Sequence, residues 1–145
     1  MNSTGVEVEV TWRDEDVLLL EVSASNGIFA GRVEAYGALD MAAEWAAALE
    51  GFPRNRDDTR EVSTGTFSDE YAGGGARLRF VVRDAAGHCA VRVQLRAADM
   101  IRSTASAEFT IDVEAAAVDR FVADLRAMST EVGQRAALAG LSGTG

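Results

Sequence analysis

Cysteine, histidine and proline occur once each in this 145-residue chain, and lysine does not occur at all. A single cysteine, Cys89, cannot close a disulfide within the chain, which suits a reducing compartment and makes cytoplasmic residence the expectation. A single histidine, His88, excludes a metal site built from several imidazoles. All 14 basic residues are arginine; base composition of the source genome accounts for that, and no function is read from it. Long apolar runs are also missing. A membrane span takes about 20 apolar residues, whereas "VLLL" ends after four at Glu21. The opening "MNSTGVEVEV" has no basic segment and alternates apolar with acidic residues, so neither a signal peptide nor a membrane anchor is expected.

Positive charge is in short supply. Against 14 arginines stand 23 acids, a net charge of −9. A phosphate-binding surface needs a basic footprint, so nucleic acid is not an expected partner. The familiar catalytic and cofactor signatures are absent as well. There is no G-x-S-x-G elbow, no phosphate loop with its lysine, no G-x-G-x-x-G fingerprint and no twelve-residue calcium loop. "RDED" and "RDD" read as solvated turn charges. No catalytic residue, no metal and no cofactor is assigned, and an enzyme is not expected.

What is present is alternation. In "VEVEVTW" (6–12), Val6, Val8, Val10 and Trp12 fall on one side of a strand and Glu7, Glu9 and Thr11 on the other. "RDED" turns the chain and "VLLLEVSA" (17–24) returns it. "IFAGRVEAY" (28–36) suggests a third strand with Phe29, Val33 and Ala35 inward. The period then becomes helical in "DMAAEWAAALEGF": Asp40 is a plausible N-cap, Ala42, Trp45, Ala46 and Leu49 form the packing face, and Gly51 and Pro53 end it. "PRNRDDTR" is a polar connection, "REVSTGTF" (60–67) a further strand, and "YAGGGA" (71–76) a flexible loop.

"RLRFVVRDAAGHCAVRVQLR" (77–96) is a hairpin. Leu78, Phe80 and Val82, then Cys89, Val91, Val93 and Leu95, point inward. Arg77, Arg79, Arg83, Arg92, Gln94 and Arg96 point to water, because the pleat alternates side chains between faces. His88 and Cys89 are neighbours on a strand and so face opposite ways, which does not supply a Cys–His nucleophilic pair. "STASAEFTIDV" adds a strand with Ala107, Phe109 and Ile111 inward. "EAAAVDRFVADLRAMS" closes with a helix whose stripe is Val118, Phe121, Val122, Leu125 and Met128. Among its carboxylates, Glu114 complements the helix dipole without any catalytic role. A frayed tail is expected over 138–145.

The two halves repeat the pattern strand, strand, strand, helix over 5–52 and 76–128, with 53–75 between them. Trp45 aligns with Phe121, Leu49 with Leu125 and Val33 with Phe109. The expected fold is therefore α+β in a single domain: one antiparallel sheet of six to seven strands with both helices on one face, in two pseudo-symmetric βββα halves. Charge does not repeat. Residues 1–72 carry 15 acids and 5 arginines, and residues 73–145 carry 8 and 9. Glu7, Glu9 and Glu21 stand where the second half has Arg77, Arg79 and Arg92. Cross-strand ion pairing on a soluble face explains this at about 0.2–1 kcal/mol per pair. A polarised binding surface, or a two-fold homodimer contact weakened by salt, explains it too. Tyr36, Tyr71 and Trp12 are aromatics without a firm core assignment, and Trp12 beside the acidic hairpin would make a recognition anchor.

The segments "FAGRVEAYGAL…AAEWAAALEGF", "ARLRFVVRDAAGHCAVRVQLRA" and "AEFTIDVEAAAVDRFVADLRAM" carry a further likeness. With the Gly87-His88 turn, the Phe109 strand and the closing Phe121 and Leu125, the chain resembles a family of small bacterial proteins of unknown function over residues 28–128. It is also similar to the related WapI-type immunity proteins, which protect a cell against wall-associated toxins of its siblings. The resemblance implies a cytoplasmic, non-enzymatic, partner-binding protein. It rests on packing positions and carries over no catalytic residue. The partner set expected is thus a protein, a toxin domain or a second copy of the chain. The alternatives are a small-ligand or anion-binding domain using the arginine-rich hairpin, or an interaction protein of another kind.

Overall fold

The computed structural model describes residues 3–68, 70, 73–98 and 104–141. The elements run β1 (Gly5–Arg13), β2 (Val17–Ser25), β3 (Ala30–Ala38), α1 (Met41–Leu49), β4 (Thr59–Gly65), β5 (Gly75–Val82), β6 (His88–Ala97), β7 (Ala105–Glu114), α2 (Ala115–Ala127) and β8 (Arg135–Ala139). The class is α+β, as the two periodicities predict, but the strands form two sheets rather than one. Their orders are β3-β2-β1-β8 and β4-β5-β6-β7, all antiparallel.

The topology repeats. Replacing β1, β2, β3, α1 and β4 by β5, β6, β7, α2 and β8 turns one sheet order into the other. Each half ends in a strand that joins the other half's sheet, so β4 flanks β5 and β8 flanks β1. Local periodicity cannot reveal such an exchange, and a single sheet was the simpler expectation. The exchange also explains the tail. Residues 138 and 139, expected to fray, belong to β8, with Leu138 at 1% exposure against Val6. Gly140 and Leu141 continue by donating to Thr4 O and Asp112 O.

One core serves both sheets and both helices. Val8, Val10, Leu20 and Val22 line it from the first sheet, Leu78, Phe80, Val91, Val93 and Ile111 from the second, and Trp45, Leu49, Phe121 and Leu125 from the helices. The helices pack on each other, α1 also on β4 and α2 on β8 and β7, while β3 crosses β4, β5 and β6. Asp40 occupies the N-cap position of α1 without a side-chain capping bond. The other end of α1 is held by Arg60, which donates to Ala48 O (2.9 Å) and Glu50 O (3.1 Å). Its remaining nitrogens bind the Asp58 carboxylate, which holds that carboxyl below the usual range. A cation at the last carbonyls of a helix is also favoured by the helix dipole.

Four local readings change. Phe29 precedes β3 in a turn closed by the Asn26 side chain, which accepts from Ile28 N and Phe29 N, and it is exposed rather than inward. Ala107 keeps the parity of Phe109 but lies beyond the core and is exposed. Arg96, expected in solvent, is buried and donates to Gly73 O and Thr66 O. Glycines 73–75 are not a slack loop but a stitch between sheets. Gly74 N donates to Glu34 O of β3 and Gly74 O accepts from Thr66 N. Tyr71 lies outside the described residues.

Candidate interaction faces

The outer face of each sheet, turned away from the core, carries the residues singled out from the sequence. On the first sheet, register places Arg135, Glu9, Glu21 and Glu34 in one row across β8, β1, β2 and β3. The row beside it holds Ala137, Glu7, Ser23 and Arg32. On the second sheet the corresponding rows are Glu61, Arg79, Arg92 and Thr110, then Ser63, Arg77, Gln94 and Glu108. The acidic set and the arginine set therefore lie on different sheets. They do not pair with each other.

Their partners come from neighbouring strands instead. Arg135 reaches Glu7 and Glu9 at 3.7 Å each. Arg77 lies 3.9 Å from Glu61, donates to Gln94 Oε1 at 3.1 Å, and covers the Phe67 ring at 4.4 Å. Arg92 approaches Glu108 at 3.5 Å. Exposed pairs of this kind contribute little each. Among the described residues, no ion pair or hydrogen bond satisfies the side chains of Glu21, Glu34 or Arg79.

Trp12 owes its position to a β-bulge. Val10 pairs with Leu20, but Trp12 pairs with Leu19, so the register shifts by one residue around Thr11. A bulge reverses the alternation beyond it. Strict alternation would send Trp12 inward with Val10; the bulge sends it outward, 46% exposed. Leu19 in turn pairs with Tyr36, 47% exposed, giving an aromatic, aliphatic, aromatic row on β1, β2 and β3. This row directly adjoins Glu9, Glu21 and Glu34. Glu34 and Leu19 escaped the sequence reading, although their parity with Glu21 and Arg32 was available once the strand limits were known.

At the far end of the same face, a groove of about 890 Å³ is floored by small residues including Gly5, Ser23 and Ser25 and lined also by Arg32 and Arg120. Arg77, Arg79 and Arg92 do not line it. Two shallower depressions, near Arg54–Arg60 and Arg83, do not include them either.

His88 opens β6 with its Nδ1 2.7 Å from Asp84 Oδ2. That hydrogen bond, together with the carboxylate charge, raises the imidazole's pKa above its ordinary value. Cys89 points the other way into the core, and burial pushes its thiol up, away from the thiolate a nucleophile needs. Among the described residues, no three His, Cys, Asp or Glu side chains are grouped to hold a metal ion. Among the described residues, no helix is long and apolar enough to cross a membrane.

Comparison with protein-family models, with curated proteins and with solved structures finds no match. The faces themselves carry the functional argument.

Proposed function

We propose that this protein is a non-enzymatic protein-binding module that neutralises a basic toxin domain in the cytoplasm, and that its contact surface is the outer face of the first sheet. The observation that carries the reading is the Trp12–Leu19–Tyr36 row set directly against Glu21 and Glu34, carboxylates with no cation of their own. Aromatic side chains give large contact area at small entropic cost, and they dominate interface energies. Uncompensated carboxylates beside them attract a basic surface and set its orientation. Solubility alone asks for polar residues on this face; it does not ask for two exposed aromatics flanking a half-buried leucine. The net charge of −9 disfavours nucleic acid as the occupant and speeds encounter with a cationic protein.

The test is co-expression with a basic toxin domain, sought first among the proteins encoded by the adjoining reading frames. The wild-type chain should protect the host from growth arrest. Trp12→Ala and the double variant Glu21→Arg, Glu34→Arg should lose that protection while unfolding at an unchanged temperature. Absence of protection by the wild type overturns the neutralising role. Protection retained by both variants overturns the choice of face.

A further inference from the structure

The two outer faces carry opposite charge at corresponding positions. Glu9 and Glu21 are register partners on β1 and β2, and Arg79 and Arg92 are register partners on β5 and β6. The next row repeats the inversion, with Glu7 on β1 where Arg77 stands on β5. On the other side of the charged row, Trp12 and Leu19 pair on the first sheet, where the second has Val81 paired with Ala90. The bulky pair thus corresponds to a small apolar pair, in which Ala90 is buried and faces Asp112, the ion-pair partner of Arg83.

We propose that the outer face of the first sheet docks on the outer face of the second sheet of another copy of this chain, so that copies associate head to tail. Turning one face onto another about the strand direction keeps the rows in order and reverses the order of strands. The match survives that reversal, because both members of each central pair are of the same kind. Glu9 then meets Arg92 and Glu21 meets Arg79, the Trp12–Leu19 row lies over Val81 and the Arg83–Asp112 ion pair beside it, and Glu34 faces Glu61 at the margin. Each sheet on its own holds like charges directly opposite one another, which is unfavourable. Docking gives Glu21 an opposite charge that it lacks among the described residues, and gives Arg79 one besides Glu61, its register partner on β4, which ion-pairs with Arg77 instead.

A two-fold contact through either face cannot do this. An isologous interface sets the same patch of each copy against itself, acid on acid or arginine on arginine. The two sheets enclose the core between them and their outer faces belong to different surfaces, so the match is heterologous, and a heterologous contact builds a chain or ring rather than a closed pair. The net charge of −9 on every copy opposes association at long range, so it depends on concentration. No foreign partner is involved; failure here leaves the toxin-binding reading standing, and failure of that reading leaves this one.

Sedimentation equilibrium tests it. At low ionic strength the weight-average mass of the wild-type chain should rise with concentration above the 15.4 kDa of one copy. It should fall back in about 1 M salt, where the screening length is about 3 Å. Glu21→Arg destroys one face and Arg92→Glu the other, and because these two positions do not meet in the contact the reversals cannot compensate each other; each variant alone should stay at the mass of a single chain. Mixed in equal amounts they should form a complex of two chains that grows no further, since each contributes its one intact face. A wild-type chain that is monomeric at every concentration and salt overturns the proposal. So does self-association persisting in either variant, or a mixture that stays monomeric.

Discussion

Glu21 on β2 stands directly across from Glu9 on β1, and among the described residues the ion pair that reaches them, from Arg135, goes to Glu9 and not to Glu21. Like charges directly opposite on neighbouring strands destabilise a sheet, by an amount comparable to the 0.2–1 kcal/mol of a favourable pair. A face shaped by folding alone would relieve this. Glu21→Gln is therefore expected to stabilise the chain by a few tenths of a kcal/mol to about 1 kcal/mol at low salt. The gain should shrink as salt rises. Arg79→Gln should change stability less, because Arg79 has Arg92 across from it on one side and Glu61 on the other. Urea unfolding at two ionic strengths measures both, and a loss of stability in Glu21→Gln would show that its side chain pairs in a way the register does not indicate.

Trp45 of α1 joins core and sheet edge in one side chain. It is 4% exposed, and its Nε1 donates to Ser63 O on the outer edge of β4 at 3.3 Å. Large aromatic truncations in a core cost about 3–5 kcal/mol, which is the loss expected for Trp45→Ala. Trp45→Phe keeps most of the packing but leaves Ser63 O without its donor, at a net cost of about 0.5–1.5 kcal/mol before any packing loss. Equal destabilisation by the two variants would mean that the hydrogen bond, not the ring, dominates.

Much of this architecture is legible in the chain because its signals are local. Val6, Val8 and Val10 alternate as a half-buried strand must, and the stripe from Val118 to Leu125 repeats at helical spacing. Three things were not legible, each for a physical reason. The exchange of β4 and β8 between sheets is a long-range pairing with no mark in the periodicity of either strand. The bulge at Thr11 is one extra residue in an unbroken alternating run, so it moved Trp12 to the opposite face. The third is the glycine cluster, whose composition suits both a slack loop and a close backbone approach. Of the interaction faces, the charged positions Glu7, Glu9, Glu21, Arg77, Arg79 and Arg92 could be read from alternation. That they lie on two separate sheets could not.

Gly74 distinguishes the two meanings of glycine. A Cβ built there would lie 2.3 Å from Arg96 O and 2.7 Å from Glu34 O, both backbone atoms that cannot swing away. Gly74→Ala should therefore force β3 and β6 apart at the stitch between sheets, at a cost of about 1–3 kcal/mol typical of overpacking. Gly51, whose Cβ would meet nothing within 4 Å, is the control for backbone strain alone because its φ of +75° still disfavours a side chain. Denaturant midpoints of Gly74→Ala and Gly51→Ala compare the two. If Gly74→Ala is neutral, the connection between β4 and β5 does not hold the sheets together.

The Asp84–His88 contact makes the β5–β6 turn sensitive to pH. Asp84 Oδ2 binds the imidazole, while Asp84 Oδ1 accepts from Ala86 N and His88 N, so one carboxylate organises the whole turn. The hydrogen bond from His88, foremost, holds the Asp84 carboxyl below its usual 3.8, and the same bond raises His88 above 6.5, aided by the charges of Asp84, Glu114 and Asp112. A histidine raised by folding contributes its stability in full below its unfolded value and loses it as pH climbs through the folded value. A carboxylate lowered by folding contributes above its unfolded value and loses it as pH falls through the folded one. The turn is therefore tightest between about 4 and 6.5 and loosens on either side. Because both groups face solvent, the effect belongs to the turn and not to the global stability of the fold. Proton NMR of the single imidazole reads it directly. Its titration midpoint should lie above 6.5 in the wild-type chain and fall back toward 6.5 in Asp84→Asn. Amide exchange at Ala86 and His88 should quicken in that variant relative to the wild type between about pH 4 and 6.5, where the wild-type turn is tightest. A midpoint unmoved by Asp84→Asn would assign the shift to Glu114 and Asp112 across the strand pair instead.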